Sequence, residues 1–288
     1  MSKGTWMILF AAMLWGTTGT SQALAPAEST PAAIAALRML LAGVVLFAWT
    51  VRSKDFHLKN WPVMMTLLAG ALIALYQLMS FWAMSETGVA IGAVVAMGSA
   101  PVFAGILEYL IRAKKPVRRW YLSTVMAVSG CLFLVFDRGD VYVDSFGVFL
   151  ALVAGFSYAF YTLSISMLVE KQAPQVVTAI VTCVGAFFLL PALFRTDLSW
   201  LSQTNGWVAI VHLGLIATAL SYWLFAKGLK SVRTSTAVTL TLAEPLVATL
   251  LGVLVVGEKM NFLVSCGLIL IFAALLLLMV PSRQKLLA

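Results

Sequence analysis

A glutamate followed directly by a proline interrupts one of the most apolar stretches of this 288-residue chain. Glu244 and Pro245 lie in segment 239–259, where most of the other residues are apolar. A buried ionised carboxylate is costly unless it is paired or neutralised, and a proline inside a helix removes a hydrogen bond and bends the helix. We therefore expect both residues to have a specific role at this position.

Two roles fit Glu244 from its place in the sequence. It could carry a proton, so that its charge changes during a functional cycle, or it could be a structural hydrogen-bonding group for a backbone amide or a hydroxyl. Arg38 lies in another apolar stretch and could pair with it. Both roles place the carboxylate in the interior of a helix bundle.

Residues at helical spacing around Glu244 form a stripe of small and polar side chains, and five other apolar segments carry similar stripes. A single polar or small residue in a membrane helix commonly serves packing against a neighbouring helix. Six stripes together favour a central, water-accessible cavity, because polar faces turn away from an apolar surrounding. The side chains that we predict to bind a substrate there are Trp15, Tyr76, Gln77, Ser80, Met97, Ser157, Tyr158, Tyr161, Ser221, Tyr222, Thr241 and Glu244.

The predicted cavity has few charges and many broad, adaptable side chains. Aromatic and methionine walls suit uncharged or zwitterionic molecules of modest size. A phosphate ester would require several inward-facing basic residues, and Arg38 alone qualifies. A zwitterionic amino acid could be satisfied by the hydroxyls, Gln77 and helix-end dipoles, so a small-molecule cargo of this kind is the expected ligand.

Catalytic chemistry is not indicated by the remaining polar residues. His57 and His212 share no spacing motif, the aspartates lie at or beyond the ends of the apolar segments, and Cys131, Cys183 and Cys266 lack ligand spacing. We expect no metal, no cofactor and no ATP site, since no phosphate-binding glycine loop is present. A membrane enzyme and a channel or receptor are the alternative classes.

Two further polar residues have simple expected roles. Glu108 precedes Arg112 by four residues, which predicts an ion pair within one helix. His212 is a lone imidazole in an apolar segment, for which we expect a hydrogen-bonded packing role.

The composition indicates that the apolar segments of this chain are surrounded by membrane lipid. Hydrophobic residues make up 62% of the chain and charged residues 10%, and the mean hydropathy is +1.00. A soluble chain is closer to half apolar and a quarter charged. A span needs about 20 apolar residues and must be helical, because its backbone groups find no partners in lipid.

Short intervals with Gly, Pro and charged residues divide the apolar sequence into ten segments. This pattern predicts ten transmembrane helices and an all-α polytopic membrane protein. The predicted spans are 4–24, 30–51, 61–84, 88–111, 119–136, 145–168, 174–194, 206–226, 234–256 and 261–280. The intervals between them are short and contain most of the charged residues, so membrane lipid is the expected surrounding and no separate soluble domain is expected.

The basic residues predict the orientation of these helices. With the N terminus inside, 15 of the 19 Lys and Arg residues fall in inner segments, three in outer segments, and Arg38 in a span. An excess of Lys and Arg marks cytoplasmic loops, so both termini are expected in the cytoplasm. The net charge of +8 is then explained by basic residues that face the negatively charged inner leaflet. It gives no reason to expect nucleic acid as a partner.

The second half of the chain repeats the first at an offset of about 144 residues. Pro101 aligns with Pro245, and Pro31 aligns with Pro174. Five helices in each half give the halves opposite orientations, which predicts two inverted repeats, residues 1–140 and 141–288, around the cavity. Pro101 and Pro245 are the predicted hinges for alternating access, although Ala100 precedes the first proline where Glu244 precedes the second.

These features resemble the EamA family of the drug/metabolite transporter (DMT) superfamily. The resemblance covers the whole chain and rests on an Ala-x-x-Trp-Gly in helix 1, on Arg38 and on AEPLVATLLGVLVVGE from residue 243. Within the family the chain looks most similar to YddG-type exporters of amino acids, aromatic ones included, in bacterial inner membranes. The resemblance implies amino-acid export of broad specificity without an obligate protein partner; export of other small metabolites or drugs is the alternative.

Overall fold

Helices dominate the computed structural model, which describes residues 2–57, 59–134, 144–257 and 260–280. Ten long helices and two short 3-10 segments, Leu190–Arg195 and Ser199–Ser202, are found in the described residues, and no strand is present there. The bounds of the long helices are α1 Lys3–Ala23, α2 Pro31–Val51, α3 Val63–Thr87, α4 Val89–Arg112, α5 Arg118–Phe133, α6 Ser145–Lys171, α7 Pro174–Leu189, α8 Thr204–Leu229, α9 Thr234–Val255 and α10 Phe262–Met279. These bounds lie within a few residues of the predicted spans, and the predicted boundary between residues 140 and 141 lies outside the described residues.

Eight of these segments are long and apolar enough to cross a membrane. The other two are α1, which contains Gly, Thr, Ser and Gln residues, and α5, which has 16 residues. Large apolar side chains such as Phe10, Met64, Leu110 and Phe187 are exposed on the outside of the bundle. The protein is therefore an all-helical, multi-pass membrane protein.

Local sequence signals set several helix starts. The Thr30 side chain accepts a hydrogen bond from the Ala33 amide in front of Pro31, which is a favourable first helical residue. The side chains of Asp144 and Asn261 likewise accept from the Gly147 and Val264 amides. Each of these caps satisfies a backbone donor that has no partner within its helix.

The predicted ninth helix is not continuous. Helix α9 consists of Thr234–Leu240 and Ala243–Leu251, separated by a turn at residues 241–242, and it ends in π-helical geometry. Pro245 cannot donate to the carbonyl of Thr241 and its ring crowds that carbonyl; the Glu244 amide donates to it instead, at 2.9 Å. The proline thus lies in the first turn of the second piece, where it is tolerated.

Loop contacts place the predicted inner segments at one end of the bundle. Arg112 pairs with Glu170 at 2.7 Å, and Arg233 donates to the Lys115 carbonyl at 3.0 Å. We call this the basic end; its described basic residues are Lys3, Arg52, Lys54, Lys59, Arg112, Lys114, Lys115, Arg118, Arg119, Lys171, Lys227, Lys230 and Arg233. Arg138, Lys259, Arg283 and Lys285 lie outside the described residues.

Helix packing follows a regular scheme around the middle of the bundle. Helix α6 packs on α3 and α4, and helix α1 packs on α8 and α9. Helices α2 and α7 pack together, as do α5 and α10. Because α1 and α6 each contact two helices of the other half, the central space is enclosed by helices from both halves of the chain.

Candidate functional site

A cavity of about 910 Å³ lies at the centre of the bundle. Its lining comes from eight helices, α1 to α4, α6 and α8 to α10, together with Leu134. The lining extends along the chain to Ala23, Met84 and Asn261, which lie at the end opposite to the basic end. The cavity therefore leads from mid-depth toward that opposite end, which we call the open end.

Most of the side chains predicted from the stripes are brought together here. The predicted residues that line the cavity are Trp15, Tyr76, Gln77, Ser80, Met97, Tyr158, Tyr222, Thr241 and Glu244. Among the other lining residues are Thr18, Gln22, Ala93, Ala100 and Ala248, which belong to the same stripes of their helices. Helical spacing therefore identified the faces of α1, α3, α4 and α9 that turn toward the cavity.

Three predicted residues lie behind the wall of the cavity. Ser157 and Ser221 are fully buried, and their hydroxyls donate to the carbonyls of Val153 and Ala217 within their own helices, both at 2.7 Å. Tyr161 is also buried, against Tyr158 and Tyr222. These three residues do not belong to the lining of the cavity; for the two serines, a hydroxyl at the same spacing can equally serve helix packing.

An aromatic cluster closes the inner part of the cavity. Trp15 packs edge-on against Tyr222 and Tyr158, with ring centroids 5.7 and 6.4 Å apart, and Tyr76 lies 5.1 Å from Tyr158. Phe225 fills the space behind Trp15 at 5.2 Å and does not line the cavity. A ligand at this depth would meet broad aromatic surfaces that favour ring or aliphatic side chains.

Arg38 and Gln77 form a polar pair in the cavity wall. The guanidinium Nη2 of Arg38 donates to Oε1 of Gln77 at 2.8 Å. Arg38 on α2 is 8% exposed and Gln77 on α3 is 2% exposed, so both side chains are buried. The Arg38 Nε and the Gln77 Nε2 have no hydrogen-bond partner in the described residues.

Glu244 lies on the cavity surface at the start of the second piece of α9. It does not form an ion pair with Arg38; the ion pair found in the described residues joins Arg112 and Glu170. No hydrogen bond to the Glu244 carboxylate is found in that part of the chain either. Of the alternatives that the sequence left open, pairing with Arg38 and a hydrogen bond to an amide or a hydroxyl are therefore not formed in the described residues, and the carboxylate lines the cavity.

The two predicted hinges differ in their surroundings. Pro245 lines the cavity beside the turn that divides α9. Pro101 is buried inside the continuous helix α4 and does not line the cavity, although Ala100 does. The two prolines are thus equivalent in the sequence repeat, but only the helix that contains Pro245 is interrupted.

The basic end is closed below the aromatic cluster by buried polar contacts. Glu108 is 1% exposed and accepts from the amide and hydroxyl of Ser235, at 3.1 and 2.5 Å. Trp120 donates to the Ser235 carbonyl at 3.0 Å. The predicted pairing of Glu108 with Arg112 is wrong, because Arg112 turns to Glu170 and Glu108 turns inward to the start of α9.

His212 has the hydrogen-bonded packing role expected for it. Its Nε2 lies 2.9 Å from the Thr17 hydroxyl, which joins α8 to α1. The contact lies outside the set of residues that line the cavity.

Several cavity residues were not predicted from the sequence. Met84 and Gly252 continue the stripes of Ser80 and Ala248 by one more helical step, so a longer extension of the same pattern would have included them. Asn261 and Val264 come from the start of α10, for which the sequence carried no polar stripe.

Comparison with known proteins identifies the family. The model of the EamA-like transporter family matches residues 2–136 and residues 145–280. The uncharacterized transporter YwfM of Bacillus subtilis is 43% identical over 96% of this chain and 94% of its own length. The uncharacterized inner membrane transporter YicL of Salmonella typhimurium is 26% identical over 98% of this chain and 97% of its own length.

A solved crystal structure has the same fold. Its TM-score is 0.82 at 18% sequence identity, over 99% of both chains. The chain belongs to the EamA-like transporter family of the DMT superfamily, and it is a multi-pass membrane transporter.

Proposed function

We propose that this transporter exports amino acids, aromatic and other mostly neutral ones, across a bacterial inner membrane by alternating access. The single observation that carries the proposal is the cavity of about 910 Å³, with an aromatic wall and with both Arg38 and Glu244 on its surface. A volume of this size admits a molecule as large as tryptophan. One basic and one acidic side chain suit a zwitterion better than a phosphate ester, which would need several cations.

The packing scheme supports two inverted repeats of five helices each, residues 1–140 and 141–288. The contacts of α1 with α8 and α9 have counterparts in those of α6 with α3 and α4. Helices α2 and α7 are equivalent partners that contact each other, and so are α5 and α10. A two-fold axis in the membrane plane produces this pattern, and it allows two access states of similar energy.

The distribution of basic residues supports cytoplasmic termini. The basic end then faces the cytoplasm, and the open end faces the outside. In this arrangement the cavity is accessible from the outside, while the Glu108–Ser235 contact and the aromatic cluster close the inner path. The state corresponds to the release step of an exporter.

Counterflow in proteoliposomes tests the proposed function. Vesicles loaded with one unlabelled amino acid are expected to accumulate the same labelled amino acid, with a panel ranging from alanine to tryptophan as competitors. Accumulation with aromatic or neutral amino acids supports the proposal. Absence of counterflow across the whole panel, with counterflow of another small metabolite or drug, would assign the protein to the alternative cargo.

A further inference from the structure

We propose that Arg38 with Gln77 binds the carboxylate of the exported amino acid and that Glu244 binds its ammonium group. This inference rests on the proposed function and assigns the two polar subsites that would recognise the backbone of the cargo. The cargo side chain is then left to the aromatic cluster formed by Trp15, Tyr76, Tyr158 and Tyr222.

The charges of the cavity are the first observation. Among the described residues that line it, Arg38 is the one basic side chain and Glu244 the one acidic side chain. A free α-amino acid carries one negative and one positive group, so each charge of the cargo has one counter-charge in the wall. A buried charge without a counter-charge is costly, which explains why the cavity would select such a molecule.

The unpartnered donors are the second observation. Arg38 Nε, Gln77 Nε2 and Trp15 Nε1 are buried and have no acceptor in the described residues. Leaving a buried donor unpaired costs free energy, and a guanidinium fork favours a planar carboxylate. Arg38 already donates to Gln77 at 2.8 Å, so the Gln77 side chain fixes the guanidinium and offers its own amide hydrogens beside it.

The placement of the two charges is the third observation. Arg38 and Glu244 line the same cavity, and no ion pair between them is found in the described residues. Tyr76 and Tyr222 line the same cavity as Arg38 and Glu244, so the two aromatic rings and both charged side chains are presented to one ligand. The Glu244 carboxylate has no donor from the described chain, which leaves it free to accept from an ammonium group.

Binding to the purified, detergent-solubilised transporter tests the assignment with three probes. Phenylalanine carries both charged groups, phenylalaninol lacks the carboxylate, and 3-phenylpropionate lacks the ammonium group. The parent protein is expected to bind phenylalanine at least about tenfold more tightly than either analogue. Arg38→Gln is expected to abolish the preference over phenylalaninol, and Glu244→Gln the preference over 3-phenylpropionate.

Controls separate these effects from folding. Glu86→Ala removes an exposed acidic side chain that does not line the cavity, and it is expected to keep both preferences. If Arg38→Gln does not stay monodisperse, Gln77→Leu tests the same subsite and is expected to reduce the preference over phenylalaninol while Arg38 remains.

The outcomes distinguish the two proposals. If the parent binds and exchanges no amino acid, the proposed function fails and the assignment fails with it. If the parent binds phenylalanine but each variant discriminates between the probes as the parent does, the transporter function stands and the assignment is overturned. A reversed result, in which Arg38→Gln affects only the ammonium probe, also overturns it.

Discussion

Trp15 and Gly16 serve two different surfaces from adjacent positions on α1. The Trp15 indole faces the cavity and packs on Tyr222. Gly16 allows α1 to approach α9, because a methyl group there would lie 2.6 Å from Val247 Cβ and 2.9 Å from the Glu244 carbonyl oxygen. The Trp-Gly pair in the first helix thus combines a side chain that lines the cavity with a close contact between helices.

Replacing Trp15 or Tyr76 by Ala is expected to reduce transport of bulky amino acids more than transport of small ones. Lost aromatic contact lowers affinity by roughly three- to tenfold for a cargo that reaches the ring, whereas alanine does not reach it. Uptake of labelled tryptophan and alanine in proteoliposomes measures the difference. Tyr161→Phe, behind the wall, is the matched control, and an equal loss for both cargoes would indicate a folding defect instead.

The sequence predicted which residues line the cavity better than it predicted which residues pair with each other by hydrogen bonds or packing. Tyr76, Thr241 and Glu244 were found because stripes at helical spacing mark one face of each helix. Ser157 was misplaced because the same pattern arises where a helix packs on another helix. The Arg38–Gln77 pair was not predicted, since it depends on the relative depth of α2 and α3, which no local pattern contains.

At the scale of helices, the division of α9 was predicted only in part. Pro245 indicated a bend, but the turn at residues 241–242 depends on where the Thr241 carbonyl finds its donor. Glu108 was assigned to Arg112 because spacing along one helix is visible in a sequence, whereas its partner Ser235 is 127 residues away. Contacts between distant helices decide both features.

Gly16→Ala is expected to destabilise the contact between α1 and α9. The added methyl group meets Val247 and a backbone carbonyl, which can move only if the helices separate. Gly19 offers a matched control on the same helix, because no atom lies within 4 Å of a methyl group there. Thermal unfolding in detergent is expected to show a lower midpoint for Gly16→Ala and an unchanged or higher one for Gly19→Ala, since Ala favours helix. Equal midpoints for the two variants would contradict the close approach.

Glu108→Ala is expected to destabilise the basic end by about 1–3 kcal/mol, because it leaves the Ser235 amide and hydroxyl buried without their acceptor. Thermal unfolding in detergent measures the loss. The control is Glu86→Ala, at an exposed glutamate that accepts from Trp82 at 3.1 Å. A midpoint for Glu108→Ala that matches the control would show that Ser235 finds another partner.

At the scale of the whole molecule, the orientation is testable by labelling. In a variant lacking Cys131, Cys183 and Cys266, a single cysteine at Glu28 is expected to react with an impermeant reagent applied to intact cells. A single cysteine at Lys115 is expected to react only after the membrane is permeabilised, because it lies at the basic end. The reverse pattern would invert the molecule and make the cavity face the cytoplasm.

The balance of one Arg38 and one Glu244 in the cavity has an electrical consequence. Moving one elementary charge through 100 mV involves about 2.3 kcal/mol, but a zwitterion bound between equal and opposite charges moves no net charge. Imposing a potassium diffusion potential with valinomycin is therefore expected to leave the rate of net amino-acid efflux unchanged, and a voltage-dependent efflux would contradict this. The proposed carrier would then perform no electrical work: without a coupled proton, it would release its zwitterionic cargo whenever the inside concentration exceeds the outside concentration, whatever the membrane potential.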